Sequence, residues 1–283
     1  MVGKIAAVVP VYNASNFLKK SIESLLNQSF RDIKIVCVYD ESPDNCGEIL
    51  NNYAKQDNRI IILTSDNPKG AGSARNVGLD YIFDNLPDVE YISFLDADDQ
   101  LEKNAYERAY YEAKKCDADI LNFNFRPSTV WEYKTEATND SVDYEGNCLN
   151  SIFETPEYFT FIVCWSKLYK KDLLKEIRFP IRRFFEDGSF AYKVLPRAKK
   201  MRLIPDTLCV YNIENPQSVC GKISQTDRLA AILETVKETC EDWKKLGIYD
   251  KHKSKFIDHI QNYASLVCPD VEHTGEFIQK AIR

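Results

Sequence analysis

Tyr91-Ile92-Ser93-Phe94-Leu95-Asp96-Ala97-Asp98-Asp99 is the stretch on which the fold turns. A short apolar run that stops at a group of carboxylates reads as a buried strand, Tyr91 to Leu95, whose carboxyl end opens onto a polar site. Asp96 and Asp98 are two positions apart, and residues at i and i+2 of extended backbone face the same way. Two carboxylates on one side repel each other unless a cation sits between them. Oxygen ligands select a hard ion such as Mg²⁺ or Mn²⁺, which takes one or two carboxylates and completes its shell with phosphates and water. An isolated acidic triplet would read as a solvated turn with Asp99 as a helix N-cap. Placement directly after an apolar strand favours the metal.

Outward from this stretch, strand and helix signals alternate. Ile5 to Val9 is a continuous apolar run ended by Pro10. Asn13 and Ser15 offer N-caps for a helix with apolar positions Phe17, Leu18, Ile22, Leu25 and Leu26. Ile33 to Val38 is a second strand, followed by a turn from Asp40 to Asp44, and Asp44 can cap the next helix. Ile60 to Leu63 is a third strand. A Gly-containing loop, Asn67 to Gly72, leads into a helix from about Ser73 to Phe83. After the helix around Ala105 to Ala113 comes the strand Ile120 to Phe125. This order predicts an α/β fold, a Rossmann-type mostly parallel sheet flanked by helices.

Pro127 to Asn150 is polar and acidic and reads as a long loop. Order returns with Phe159 to Cys164 and Trp165-Ser166-Lys167-Leu168-Tyr169. Glu186-Asp187 opens a helix through Leu195, and short strands follow at Met201–Ile204 and Leu208–Ile213. After Ser218 the chain reads as helical. Ser224 to Asp227 resembles a capping box ahead of Leu229, Ile232, Leu233, Val236, Cys240 and Trp243. A second amphipathic helix carries Phe256, Ile257, Ile260, Tyr263 and Val267. The expected division is an α/β domain over 1–218 and a C-terminal helical region over 219–283.

Composition narrows the function. The chain has 283 residues, 44% of them hydrophobic, enough for a real core. Its 37 Lys+Arg against 43 Asp+Glu give a net charge of -6, which argues against nucleic-acid binding. Nine cysteines are scattered without zinc spacing and read as buried thiols in a reducing compartment. No apolar run approaches the roughly 20 residues that span a bilayer, and the opening run lacks signal-peptide features. A cytoplasmic protein is expected.

Ligands of open α/β sheets bind outside the carboxyl ends of the strands. Tyr12-Asn13, Asp40 and Asp96-Ala97-Asp98-Asp99 each follow a strand directly, so topology alone places them on one edge. Asp40 can accept a hydrogen bond from a base, and Tyr12 can stack on one. Taken singly, such residues are more often a turn residue and a packed aromatic. Arg75 can pair with a phosphate or an active-site carboxylate, or stand as a surface helix residue. Gly70 and Gly72 form neither GxGxxG nor a P-loop, which argues against dinucleotide oxidoreductases and NTPases.

Pro10-Val11-Tyr12-Asn13, the strand ending in Asp40, Ser73-Ala74-Arg75-Asn76 and Phe94-Leu95-Asp96-Ala97-Asp98-Asp99 resemble the family 2 glycosyltransferases with the GT-A fold. Trp165-Ser166-Lys167-Leu168-Tyr169 and Phe184-Phe185-Glu186-Asp187 are similar to the bacterial members that build surface polysaccharides. The resemblance implies a GT-A-like domain with a C-terminal helical appendage. It also implies a nucleotide-sugar donor, commonly a UDP-sugar, held by Pro10, Tyr12, Asn13, Asp40, Arg75, Asp96 and Ala97. Asp98, with Asp96, would bind Mn²⁺ or Mg²⁺. Asp187 would be the catalytic base with Glu186 beside it, acting in an inverting single displacement. The acceptor would be a hydroxyl of a growing surface polysaccharide or lipid-linked glycan, and the latter would bring the protein to the inner membrane face.

The sequence departs from the family pattern at Tyr39-Asp40-Glu41-Ser42, where a Gly usually stands, and in a slightly longer Asn67–Gly72 loop. The match fades after about Ser218. The C-terminal helices are open to three roles: capping the acceptor site, pairing with a second copy, or resting on the membrane. Two other readings stand beside the enzyme. A non-catalytic nucleotide-sugar-binding domain would lack a base, against Glu186-Asp187. A nucleotidyltransferase would carry Gly after the first strand, against Pro10 to Ser15. Asp187 itself reads either as the base or as the N-cap of its helix, in which case Glu186 takes the role.

Overall fold

The computed structural model describes residues 3–64, 70–129, 140–154, 162–182, 184–216 and 222–282. β1 (Ile5–Val11), β2 (Ile33–Tyr39), β3 (Ile60–Thr64) and β4 (Tyr91–Phe94) pair in parallel in the order β3-β2-β1-β4. β1 shows why its apolar run is continuous. Ala6 and Val8 enter the core on one face of the sheet, and Ile5, Ala7, Val9 and Val11 enter the core on the other. Helices α1 (Ser15–Leu26), α2 (Cys46–Ala54) and α4 (Ala105–Cys116) cover the second face, and α3 (Ala71–Asn85) covers the first.

Beyond β4 the sheet, mostly parallel as expected, takes in antiparallel strands as well. β5 (Gln100–Leu101), β6 (Ile120–Pro127), β7 (Val142–Glu145), β8 (Lys167–Lys170) and β9 (Lys200–Tyr211) complete it in the order β4-β8-β6-β9-β5, with β7 also on β9. β8 lies between β4 and β6 and runs antiparallel to both, because the chain enters it from the loop segment rather than through a crossover helix. β9 is one strand where two were expected. Pro205 and Asp206 look like a break in the sequence, but they lie where the register against β6 shifts, between Phe123 and Phe125. β7 emerges from the expected long loop, while 130–139 of that loop, and Phe159 to Phe161, lie outside the described residues.

Among the described residues the further α-helices are α5 (Asn150–Glu154), α6 (Glu186–Val194), α7 (Gln225–Lys245), α8 (Tyr249–Val267) and α9 (Thr274–Ile282). Ser224 caps α7 as expected, its hydroxyl oxygen accepting from the Asp227 N–H at 3.1 Å. Trp243, Phe256, Ile260 and Ile278 from these helices pack into the same core as Phe94, Phe179 and Phe190. The expected caps of α1 are corrected. Neither Asn13 nor Ser15 caps it; Asp44 Oδ2 accepts from the Ser15 N–H at 2.8 Å, and Asp44 Oδ1 accepts from the Cys46 N–H of α2 at 3.3 Å. One carboxylate thus caps two helices and joins the loops after β1 and β2. Burial works against its charge, but the Ser42 hydroxyl and the Ser15 N–H outweigh that and hold its pKa below the usual carboxylate range.

α3 lies close against β1, and Gly78 makes this approach possible. A Cβ there would stand 2.5 Å from Val8 Cγ1. Gly78→Ala should therefore push the helix off the strand and lower stability by about 1–3 kcal/mol, measured by urea unfolding. Unchanged stability would show that the interface relaxes freely.

Candidate active site

The carboxyl ends of β1, β2 and β4 place the expected residues on one edge. Tyr12 follows β1 and is 59% exposed, so it can meet a ligand and is not the packed aromatic of the alternative reading. Pro10 lies within β1, and Asn13 turns the chain with a φ of 48° and donates its N–H to Ser42 Oγ at 2.7 Å. Asp40 is buried beside it, its N–H bonded to the Val11 carbonyl at 3.1 Å.

The Asp96–Asp99 turn is fixed from behind by α1. Ser21 Oγ donates to the Asp96 carbonyl at 3.3 Å, and the Leu101 N–H donates to Ser24 Oγ at 3.1 Å. The buried side chain of Gln28 donates to the Glu102 carbonyl at 2.8 Å and accepts from the Tyr106 N–H at 3.0 Å. Ala97 is buried within the turn. Asp99 is not a helix cap. It is fully buried, and its Oδ1 accepts from the Asn212 N–H at 2.8 Å, tying the turn to the end of β9. Burial, with Asp96 and Asp98 nearby, pushes its carboxyl well above the usual range. Asp98 Oδ2 accepts from the Asn215 side-chain amide at 2.6 Å.

Arg75 is the centre of the site and not a surface residue, being 2% exposed. Its Nη2 meets Asp96 Oδ1 at 2.6 Å, and its Nη1 meets Glu186 Oε1 and Asp187 Oδ1, both at 2.9 Å. It also lies 5.3 Å from the centre of the Phe179 ring, which stacks on Phe190. Asn76, the next residue, bonds both ways with the Phe179 backbone at 2.9 and 2.8 Å. Glu186 and Asp187 open α6, and the residue at the cap position is Phe185 in the left-handed region at φ 60°. Asp187 is therefore not the N-cap. Its Oδ2 instead accepts from the Cys164 N–H at 3.3 Å, which gives the Trp165–Tyr169 motif a place against the site.

The segment that delivers this pair is anchored on α7 as well. Arg182 donates to the Ala231 carbonyl at 3.0 Å and to Thr235 Oγ1 at 2.9 Å, and pairs with Glu238 at 2.5 Å. Phe185 stacks on Tyr263 of α8 at 4.7 Å. Sequence reading missed Asn215, Asn212, Arg182 and the Cys164 N–H, because each meets its partner across a long stretch of chain. The quoted motifs gave a signal for Asn76 and for the segment around Cys164.

One guanidinium faces the carboxylates of Asp96, Glu186 and Asp187, with Asp98 close by, so the fixed charge is negative in sum. Burial, and then Asp187, raise Glu186 to about 7. Burial, and then Asp96, raise Asp98. This donor set fits a hard divalent ion that takes one or two carboxylates and leaves its remaining positions to phosphate and water. Among the described residues no group of three or more His, Cys, Asp or Glu forms a ready-made cage.

The Glycosyl transferase family 2 profile matches residues 6–178. Glycosyltransferase GlyA of Streptococcus pneumoniae is 33% identical over 218 residues, which is 74% of this chain but 30% of that protein. GlyG of the same organism is 30% identical over 73% of this chain and 70% of its own length. A poly(ribitol-phosphate) beta-glucosyltransferase of Bacillus spizizenii is 31% identical over 72% of this chain and 31% of its own. Among solved structures, S. aureus TarS 1–349 in complex with UDP-GlcNAc superposes with a TM-score of 0.70 at 18% identity, covering 99% of this chain and 89% of that one. Mannosyltransferase PcManGT of Pyrobaculum calidifontis, with GDP-Man and Mn²⁺, gives 0.60 at 13% identity, over 98% and 74%. These likenesses bear out the GT-A fold. No helix among the described residues is long and apolar enough to cross a membrane.

Removing the buried Arg75 would leave half-buried carboxylates unpaired. Arg75→Met should cost about 3–5 kcal/mol of stability. The deficit should grow as pH rises. A carboxyl whose folded pKa is raised contributes stability below its unfolded value and loses it as pH passes the folded value. Glu186, already raised to about 7, loses its remaining counter-charge in the variant. Chemical unfolding of parent and variant from pH 5 to 8 checks this, and a deficit that shrinks with rising pH would contradict the charge assignment.

Proposed function

The chain belongs to glycosyl transferase family 2, and on that premise we propose that it moves a hexosyl or N-acetylhexosaminyl group from a UDP-sugar to a hydroxyl of a growing surface polysaccharide or lipid-linked glycan, with inversion. The observation that carries this reading is Arg75, which draws the strand-end Asp96 and the helix-start Glu186 and Asp187 into one site. Donor-side and acceptor-side groups are thereby brought within one guanidinium's reach of each other.

The residues divide the work as follows. Tyr12 stacks on the base and Asp40 accepts its N–H, on the side of the edge where the loops after β1 and β2 meet. The UDP-GlcNAc bound by TarS supports uridine; the GDP-Man of PcManGT shows that the architecture alone does not choose the base. A diphosphate is itself negative, and the carboxylates of Asp96 and Asp98 would repel it. Asp98 and Asp96 would therefore hold Mn²⁺ or Mg²⁺, which when bound supplies neutralisation of the charge growing on the leaving diphosphate. The Mn²⁺ of PcManGT supports this.

Asp187 takes the proton from the acceptor hydroxyl as that oxygen attacks the sugar C1, whose transition state is oxocarbenium-like. Its orientation is set twice, by Arg75 at Oδ1 and by the Cys164 N–H at Oδ2. A single base positioned for the acceptor, with no side chain among the described residues assigned as a nucleophile, supports single displacement and inversion. The poly(ribitol-phosphate) beta-glucosyltransferase among the relatives supports a cell-surface polymer as acceptor.

A panel of UDP- and GDP-sugars, assayed with Mn²⁺ and with chelator, tests the donor and metal reading. Turnover should be confined to a UDP-sugar, require the ion, and fall by about 10²-fold or more in Asp98→Ala. Parental turnover of that variant in chelator would sink the metal assignment. For the base, Asp187→Asn should bind UDP like the parent and lose about 10²–10⁴ in rate. If it transfers normally while Glu186→Gln is inactive, the base is Glu186.

A further inference from the structure

The lysine of the Trp165–Tyr169 motif has no part in the chemistry above, although it lies against the site. Lys167 opens β8 with 2% of its surface exposed. Its Nζ donates to the carbonyl oxygen of Val163. The N–H at the other end of that same peptide unit belongs to Cys164, and it donates to Asp187 Oδ2 at 3.3 Å. Lysine and carboxylate are therefore joined in series across one peptide plane. The amide is a delocalised group, with electron density shared between nitrogen and oxygen. A donor on its oxygen draws density from the nitrogen and makes the N–H a stronger donor, and hydrogen bonds in series polarise one another in this way.

We propose that Lys167 is a positioning residue that tunes the basicity of Asp187 through the single Val163–Cys164 peptide unit between them. This rests on the reading of Asp187 as the base. The lysine fixes the peptide plane, so the Cys164 N–H points at Oδ2 while Arg75 holds Oδ1. It also sets the strength of that N–H. As an ammonium it makes a charge-assisted bond to the carbonyl, which favours the ionised carboxylate. As an amine it makes a weaker bond and leaves the carboxylate more basic. Burial lowers Lys167 to about 7, against the opposing pull of Cys164 and Asp187, so both settings lie within the working range.

Among the described residues, the other charged or titratable groups near Asp187 are Arg75 from α3, Asp96 after β4, Glu186 of α6, Tyr169 of β8 and the Cys164 thiol. Arg75 bonds the carboxylate directly. The peptide link to Oδ2 runs to Lys167. Lys167→Met keeps the length of the side chain and removes the donor. Lys167→Gln keeps a neutral donor.

The test is the ¹³C-carboxyl NMR titration of the full chain labelled at aspartate, with the Asp187 signal assigned by its loss in Asp187→Asn. Its midpoint should move up by about half to one pH unit in Lys167→Met, a ~3–10-fold change in proton affinity, and by less in Lys167→Gln. In the parent, the Cys164 amide signal should show an inflection near pH 7, a measurement that requires no variant to fold. An Asp187 midpoint that stays in place in a folded Lys167→Met, or a Cys164 amide without that inflection, overturns the relay. Failure of the base reading is separate: Asp187→Asn would then transfer sugar at the parental rate, whatever the carboxyl titration shows.

Discussion

The guanidinium of Arg75 sits where the end of β4 and the start of α6 would otherwise repel each other. Asp96 projects from one, and Glu186 and Asp187 from the other. Bringing these half-buried carboxylates together without a cation would be unfavourable through both repulsion and lost hydration, so the relative placement of the two elements depends on this one side chain. The cation in turn needs its helix close to the sheet. Gly78 lets α3 approach Val8, and Gly72 lets it approach the Pro180 carbonyl, where a Cβ would stand at 2.7 Å. Asn76 then pins Phe179, and Phe179 packs against Phe94 and Phe190. Charge pairing and aromatic packing specify the same arrangement.

That arrangement still leaves more carboxylates than cations, which suits the cation-bridged diphosphate proposed above. Neutral packing around it confines the charge. Asp99 is held by the Asn212 N–H, and Asp98 by the Asn215 amide, both from the chain leaving β9. The Asp96–Asp99 turn is therefore fixed by α1 on one side and by the exit of β9 on the other, before any ligand arrives.

Much of the architecture was legible in the sequence, because buried parallel strands have to be continuous apolar runs. Ile5 to Val9, Ile33 to Val38 and Tyr91 to Leu95 stood out for that reason, and the polar residues following them lie together on one edge of the sheet. What was not legible depended on distance along the chain. Asp44 caps α1 from 29 residues away, and Asn215 meets Asp98 from 117 away. No local pattern encodes such a contact. β9 was read as two strands because Pro205 cannot donate to a ladder, and the register shift beside it shows only once β6 is its neighbour. α9 escaped notice because it is short and leaves Phe277 partly in solvent.

The bonds from Arg182 to Ala231, Thr235 and Glu238, together with the Trp243 indole bonded to the Tyr192 carbonyl at 3.0 Å, bear on how such a chain can be recombined. A crossover placed after residue 218, where the family likeness fades, would part each of these residues from its partner. It would leave a buried guanidinium without its acceptors and a buried carbonyl without its donor. The unit that can be exchanged intact is therefore not the α/β part by itself. It is the stretch from 179 to 192 inherited together with α7, and helices that look dispensable travel with the carboxylates they help to hold.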